Sequence, residues 1–421
     1  MSTRIANMEP AIRRGIKTVG VGKKGSKDLD PALIQEILTD LREGKISPIA
    51  KGAFFAGLVM KGVTPEEMIL DQAFESKTLN NPAQLVKALA DDAPVFVQEI
   101  CLRILEKKEL DKATARRLGN FLFSENPGDG ARGLVASALR VRYETADEYE
   151  GLLSSMQATL EKPFRQPVPS GEPVLQIAEP FDGVDHSYLI TPLLARFVQA
   201  KGYRVVNMVG RNSGPKLVNN VWDLARESGG TFLHGNKELT EAKPDLGWFV
   251  DQKDLSSAVD RWVELRREII KRPFLSTLEK FLNPAVARIV ISSAFHPPYG
   301  EKMATAAERA GFPGSIVVRN GMEGTIAFPL KRAVKILCSA RQSDGSYVRN
   351  EMIFDTVAFL GFEVPVEEKW ENPSLKENAD LVLQYVENGK TGNELFDYRV
   401  KATCAGIQQA VEWVEKYLRI D

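Results

Sequence analysis

Two short β-branched runs, Ile289-Val290-Ile291 and Ile316-Val317-Val318, stand a helix length apart within residues 281–324. Each empties into a polar loop: His296-Pro297-Pro298-Tyr299-Gly300 follows the first, and Arg319-Asn320-Gly321-Met322-Glu323-Gly324 the second. A connection of that length forms a helical crossover rather than a hairpin, so the two strands are expected to run parallel in a βαβ unit. Ligands of open parallel sheets sit in the loops at the carboxyl ends of strands. The neighbouring apolar runs at 174–178, 205–209, 247–250, 288–292, 315–318 and 334–338 alternate with helical segments. That alternation predicts an α/β domain with a mainly parallel sheet, closed by helices near 379–383 and 402–417.

Upstream the apolar period changes. Leu33, Ile34, Ile37, Leu38 and Leu41 share one helical face, and Thr64-Pro65-Glu66-Glu67 is a capping box with proline in the first turn. A second copy follows: Val97-Gln98-Glu99-Ile100 parallels Ile34-Gln35-Glu36-Ile37, and Thr145 with Glu148 repeats the box. Residues 124–130 are read as lengthening the second copy. The proline-rich stretch at 162–171 reads as a linker. The expected organisation is a basic segment (1–28), an all-helical domain of two related units (29–161), a linker (162–173) and the α/β domain (174–421).

A formal charge of -1 on 421 residues makes any nucleic-acid surface local. The local candidate is the basic segment with Arg13, Arg14, Lys17, Lys23, Lys24 and Lys27, read as a mobile arm. Its Gly20-Val21-Gly22-Lys23-Lys24-Gly25 has the letters of a dinucleotide fingerprint without the βαβ context, and reads as a flexible loop. Neither an apolar run of 18 residues nor a charged-then-apolar leader is present, so the expectation is no membrane span and a cytoplasmic location. Cys101, Cys338 and Cys404 read as buried thiols without zinc spacing.

The order Asn283-Pro284-Ala285, strand, helix, strand, Gly321-Met322-Glu323-Gly324 resembles glycosyltransferase family 3, the family of the anthranilate phosphoribosyltransferases. Both helical copies resemble the small helical domain that opens those proteins. The resemblance implies a phosphoribosyltransferase-type α/β domain and a homodimer formed through the helical domain. In the family a Leu-Asp-Glu run after the glycine loop holds magnesium on phosphoribosyl pyrophosphate; here Thr325-Ile326-Ala327 stands there, and neither Ile326 nor Ala327 offers the oxygen that magnesium requires.

The resemblance places a pyrophosphate loop at Glu179-Pro180-Phe181-Asp182-Gly183, ahead of the helix start Thr191-Pro192. Thr191 is either a ligand contact or a plain N-cap. The next loop, Gly210-Arg211-Asn212-Ser213-Gly214-Pro215-Lys216, stands where the family has Lys-His-Gly-Asn-Arg. Arg266, in a match to Arg-x-Glu-Leu-Gly-x-Arg-Thr, corresponds to the arginine that faces anthranilate. The candidate phosphate or ligand set is therefore Asp182, Gly183, Thr191, Gly210, Arg211, Ser213, Lys216, Arg266, Asn283, Arg319, Gly321 and Glu323. A divergent branch of the family includes members that bind nucleic acid without base specificity. Three functions follow: a protein binding a phosphate-bearing ligand or nucleic acid, without anthranilate phosphoribosyltransferase activity, a transferase with another acceptor, or a scaffold whose helical units bind another protein. In the second, magnesium would rest on Asp182, Asp185 or Glu323. His296 is expected to pack with Tyr299 rather than to catalyse.

Overall fold

The computed structural model describes residues 9–22, 25–75, 77–213, 216, 218–364 and 373–419. The chain divides into two compact units, Met1–Ser155 with Arg261–Leu275, and Met156–Asp260 with Ser276–Asp421.

The first unit is helical. It contains α1 (Ala11–Val19), α2 (Pro31–Arg42), α3 (Pro48–Lys61), α4 (Pro82–Leu89), α5 (Val95–Leu105), α6 (Lys112–Leu122), α7 (Asp129–Arg142) and the greater part of α8 (Ala146–Gln157). The segment expected as a mobile arm is in part α1, which buries Ala11, Ile12, Gly15, Ile16 and Val19 along one face. Their spacing is that of an amphipathic helix, which turns Arg13, Arg14 and Lys17 away from that buried face.

In the helical unit a set of contacts recurs at a spacing of 81 residues, a register other than the one read from the sequence. Displacing the first copy by 81 residues superimposes its contacts on the second. Asp30 caps α2 by accepting from Leu33 N, and Asp111 caps α6 from Thr114 N. The Glu67 carboxylate accepts from Leu29 N and Thr64 N, both at 2.9 Å, and pairs with Lys61. The Glu148 carboxylate accepts from Leu110 N and Thr145 N, both at 2.9 Å, and pairs with Arg142. Both capping boxes are closed by the return bond from the glutamate N–H to the threonine hydroxyl. The counterpart of α2 is thus α6, not α5, and no insertion separates Leu110 from Glu148. Helices α3 and α7 cross at backbone contact. A side-chain carbon at Gly52 would lie 2.1 Å from the Gly130 oxygen, and one at Gly133 would lie 2.0 Å from the Ile49 oxygen. The positions in these two contacts are exchanged by the same displacement of 81, which gives the crossing the self-complementary form of a two-fold interface.

Arg261–Leu275, expected within the α/β domain, clusters with the helical unit. Its helix Trp262–Ile269 buries Trp262, Val263, Arg266 and Ile269, and the Trp262 indole donates to the Leu122 oxygen.

The second unit is an eight-stranded sheet in the order β3-β4-β2-β1-β5-β6-β7-β8. The strands are β1 (Val174–Ala178), β2 (Arg204–Val209), β3 (Thr231–Phe232), β4 (Trp248–Asp251), β5 (Ile289–Ala294), β6 (Gly314–Arg319), β7 (Val334–Arg341) and β8 (Tyr347–Phe354). The first six are parallel, while β7 and β8 are antiparallel additions. The chain winds outward from β1 to β2 on one side and from β5 to β6 on the other, so the switch point lies between β1 and β5. The core strands are buried on both faces, as expected of parallel strands covered by helices. Cys101, Cys338 and Cys404 are buried, and burial pushes each thiol up to about 12.

Candidate functional site at the strand ends

At the carboxyl edge of the sheet, Glu323 gathers the loops that leave β1, β2 and β6. It sits at φ 48, in a left-handed stretch with Asn320 and Gly324. One carboxylate oxygen accepts from Asp185 N at 3.0 Å and from the Lys216 ammonium. The other accepts from His186 N at 2.6 Å and the Ser187 hydroxyl at 3.0 Å. Lys216 also lies 3.2 Å from the Asp185 carboxylate. Burial alone would raise the Glu323 pKa, but Lys216 and the two backbone N–H groups outweigh it and hold the carboxyl below its ordinary value. Burial would likewise lower Lys216, and its two carboxylates outweigh that and raise it.

The glycines of these loops serve the packing of the chain on itself. A side-chain carbon at Gly183 would lie 2.2 Å from the Val218 oxygen, and one at Gly210 would lie 2.7 Å from the Phe181 ring. Phe181 is buried, and the gap it bounds with Gly210 and Trp222 admits no water-sized sphere. Asn220 ties the two loops by donating to the Phe181 and Gly210 oxygens at 2.9 and 3.0 Å.

The other candidate cations have protein partners. Arg211 makes a two-pronged pair with Asp260, at 3.1 and 2.7 Å. Arg319 pairs with Glu351 on β8. Arg266 is buried in the helical unit. Thr191 opens the helix Thr191–Gln199, and its hydroxyl donates to the Glu179 carboxylate, so it is neither an N-cap by side chain nor an open donor. Asn283 closes a turn by accepting from Ala287 N at 2.7 Å. Gly321 is required by close approach, since a side-chain carbon there would meet the Thr325 oxygen at 1.9 Å. Asp182 is buried in the loop after β1, and the buried Ser213 hydroxyl has no hydrogen-bond partner among the described residues. His296 is exposed, with its ring edge-on to Phe295 at 5.2 Å. Among the described residues, no group of three or more His, Cys, Asp or Glu side chains is placed to hold a metal ion.

In the basic segment Arg13 donates to the Arg267 oxygen, Arg14 pairs with Glu36, and Lys17 pairs with Glu9. Lys27 is exposed, while Lys23 and Lys24 lie outside the described residues.

The structure adds Glu179, which the candidate set lacks. This buried carboxylate directly follows β1 and accepts from Thr191 and from Ile326 N, joining the β1 and β6 loops. Burial pushes its pKa up, against the Ile326 N–H, the Thr191 hydroxyl and the nearby Lys280. The signal for it was an acidic residue immediately past a core strand. Asp260 and the N–H groups of Asp185 and His186 carried no sequence signal of comparable kind.

The fold of this chain is similar to that of the anthranilate phosphoribosyltransferases. The enzyme from Thermus thermophilus matches it with a TM-score of 0.57 and 21% identity, over 74% of this chain and 89% of that one. The Saccharomyces cerevisiae enzyme in complex with PRPP and Mg matches with a TM-score of 0.55 and 13% identity, over 77% of this chain and 94% of that one. An uncharacterized protein of Aquifex aeolicus is 24% identical over 289 residues, 66% of this chain and 84% of the relative. The bifunctional protein TrpGD of Thermotoga maritima is 25% identical over 237 residues, and the match spans 39% of its length. No family model matches the chain. The chain therefore has the fold of the family 3 phosphoribosyltransferases. No helix among the described residues is long and apolar enough to cross a membrane.

Proposed function

We propose that this chain is a phosphoribosyltransferase-fold protein without anthranilate phosphoribosyltransferase activity, and that it binds a phosphate-bearing ligand or nucleic acid. The observation that carries the first half is the Lys216 ammonium between Glu323 and Asp185. A magnesium-loaded donor needs carboxylate oxygens facing an open site. Here the Glu323 oxygens are taken up by one ammonium, two backbone N–H groups and one hydroxyl. Phe181 packed against Gly210 supports the same reading, because the resemblance implies a pyrophosphate loop here and the buried ring fills the space between the two loops. The second half rests on the resemblance and on the basic residues around α1. A homodimer and a cytoplasmic location belong to the same reading.

Calorimetric titration with phosphoribosyl pyrophosphate, with and without magnesium, tests the first half. The expected result is no detectable binding. Micromolar, magnesium-dependent binding would overturn it and favour a transferase with another acceptor. For the second half, gel-shift affinity for nucleic acid is expected to fall steeply between low and moderate salt, through counterion release. Light scattering reads the chain mass of 46.7 kDa or twice that.

A further inference from the structure

Within the second unit, the helices Thr191–Gln199, Leu375–Asn388 and Glu394–Tyr417 leave a groove of about 670 Å³ between them. Small residues keep it open. Ala200 and Gly389 cap the ends of the first two helices, and Ala405 lines the groove from the third. The wall is mainly apolar and stands partly in solvent. Phe359, on the short helix Thr356–Leu360, is 45% exposed, and Phe197 and Tyr385 are half-buried. A concave, mainly apolar site of several hundred cubic ångströms with a few placed polar groups is the usual form of a small-molecule pocket.

The polar groups on this groove favour one sign of charge. Lys401 is exposed on it and makes no hydrogen bond or ion pair among the described residues. Arg196 pairs with Asp245 at 3.2 Å, but both side chains are exposed, so solvent screens the pair and the guanidinium can turn to another anion. Lys201 lies 5.2 Å from the Phe197 ring. Two acids on the Lys401 helix have partners of their own. Asp397, one turn before Lys401, accepts from the Thr391 N–H and hydroxyl, and Glu412 accepts from the Gln408 amide. The Tyr385 hydroxyl has no hydrogen-bond partner among the described residues. Burial, with Cys404 and Asp397 nearby, pushes it up to about 12, which keeps it a neutral donor.

We infer that this groove binds a small amphipathic carboxylate, its hydrocarbon body against Phe197, Phe359 and Tyr385 and its head at Lys401 and Arg196. Apolar body and anionic head match the wall and the cations in turn. An acyl chain and a flat aromatic acid share this chemistry. The groove uses none of the strand-end residues, so it stands or falls separately from the reading of Glu323 and Lys216.

The test uses the full chain with anilinonaphthalene sulfonate, a dye whose emission rises in an apolar site. Bound dye is displaced by laurate, by naphthoate, or by dodecyltrimethylammonium, which has a similar chain and the opposite charge, each below its micelle concentration. The variants are Lys401→Glu, which reverses the charge at the head, and Ala405→Phe, which fills the groove. Circular dichroism melts establish that each is folded. The expected result is saturable displacement by at least one of the two acids, weakened about tenfold or more in both variants, with the cation weaker on wild type and stronger on Lys401→Glu. Displacement by laurate alone assigns the groove to acyl chains, and displacement by naphthoate alone assigns it to flat rings. Equal affinities in wild type and folded Lys401→Glu, equal displacement by the cation and the acids, or no displacement by either acid would overturn the inference. Glu323→Gln is expected to leave these affinities unchanged.

Discussion

Glu67 in the helical unit and Glu323 at the strand ends are held in nearly the same way. Each accepts two backbone N–H groups and pairs with one lysine, and each lies three or more residues from the chain segments it joins. Exposure separates them. Lys61 is 7% exposed and Glu67 is fully buried, whereas Lys216 is 31% and Glu323 13% exposed. Glu148 and Arg142, at 0% and 9%, reproduce the first case in the second copy. A saturated carboxylate in a dry site is a fixed part of the fold. The same set of bonds at a solvated strand end competes with water and can be opened, so its position at the ligand edge does not by itself make it a ligand group.

The largest expected effect tests the dry side of that comparison. Glu148→Ala leaves buried Arg142 and two backbone N–H groups without their acceptor, and Glu67→Ala leaves two backbone N–H groups without theirs and Lys61 with Asp28 alone; each is expected to cost about 3–5 kcal/mol in urea unfolding. Glu323→Ala is expected to cost about 1–2 kcal/mol, since water reaches the groups it leaves behind. Equal losses at all three positions would show that exposure is not what separates them.

Acid unfolding sharpens the strand-end side. Because the Glu323 pKa is lowered from 4.5, its stabilisation is present above that value and is lost as pH falls through the native pKa. Unfolding free energy is therefore expected to fall as pH drops below 4.5 and through the lowered native pKa. In Lys216→Met the fall should be shallower. An unchanged slope in the variant would mean that Lys216 does not hold the carboxylate.

Lys271, pushed down by burial, has the opposite sign. Its native pKa of about 8 lies below the ordinary 10.5, so the folded state releases this proton first. The associated penalty is fully present below pH 8 and is relieved as pH rises toward 10.5. Stability is expected to gain over that window in wild type and to gain less in Lys271→Met. A rise of equal size in both would locate its source elsewhere.

Much of the fold was legible in local pattern. The runs behind β1, β2, β4, β5, β6 and β7 are apolar on both faces, and Thr64 with Glu67 and Thr145 with Glu148 form their boxes within four residues. Strand β8 was not legible, because Tyr347–Phe354 is an edge strand whose middle carries Arg349, Asn350 and Glu351 to solvent. The repeat was legible but its register was not: the similarity of α5 to α2 in sequence lost to the contacts that α6 makes in the place of α2. In the candidate site, sequence marked Glu323, Lys216, Arg211 and Gly210 as notable without their partners.

The sequence by itself determined the strand and helix types, the caps, the duplicated helical pattern and the missing acidic pair at Ile326 and Ala327. These depend on side-chain periodicity and on groups a few residues apart. Only the tertiary structure decided what the remaining charges do. Arg211 meets Asp260 across 49 positions, Lys216 meets Glu323 across 107, and Glu179 meets Ile326 N across 147. A charge left open binds a ligand and a charge already paired holds the fold, and separations of that length leave no local pattern to tell the two apart.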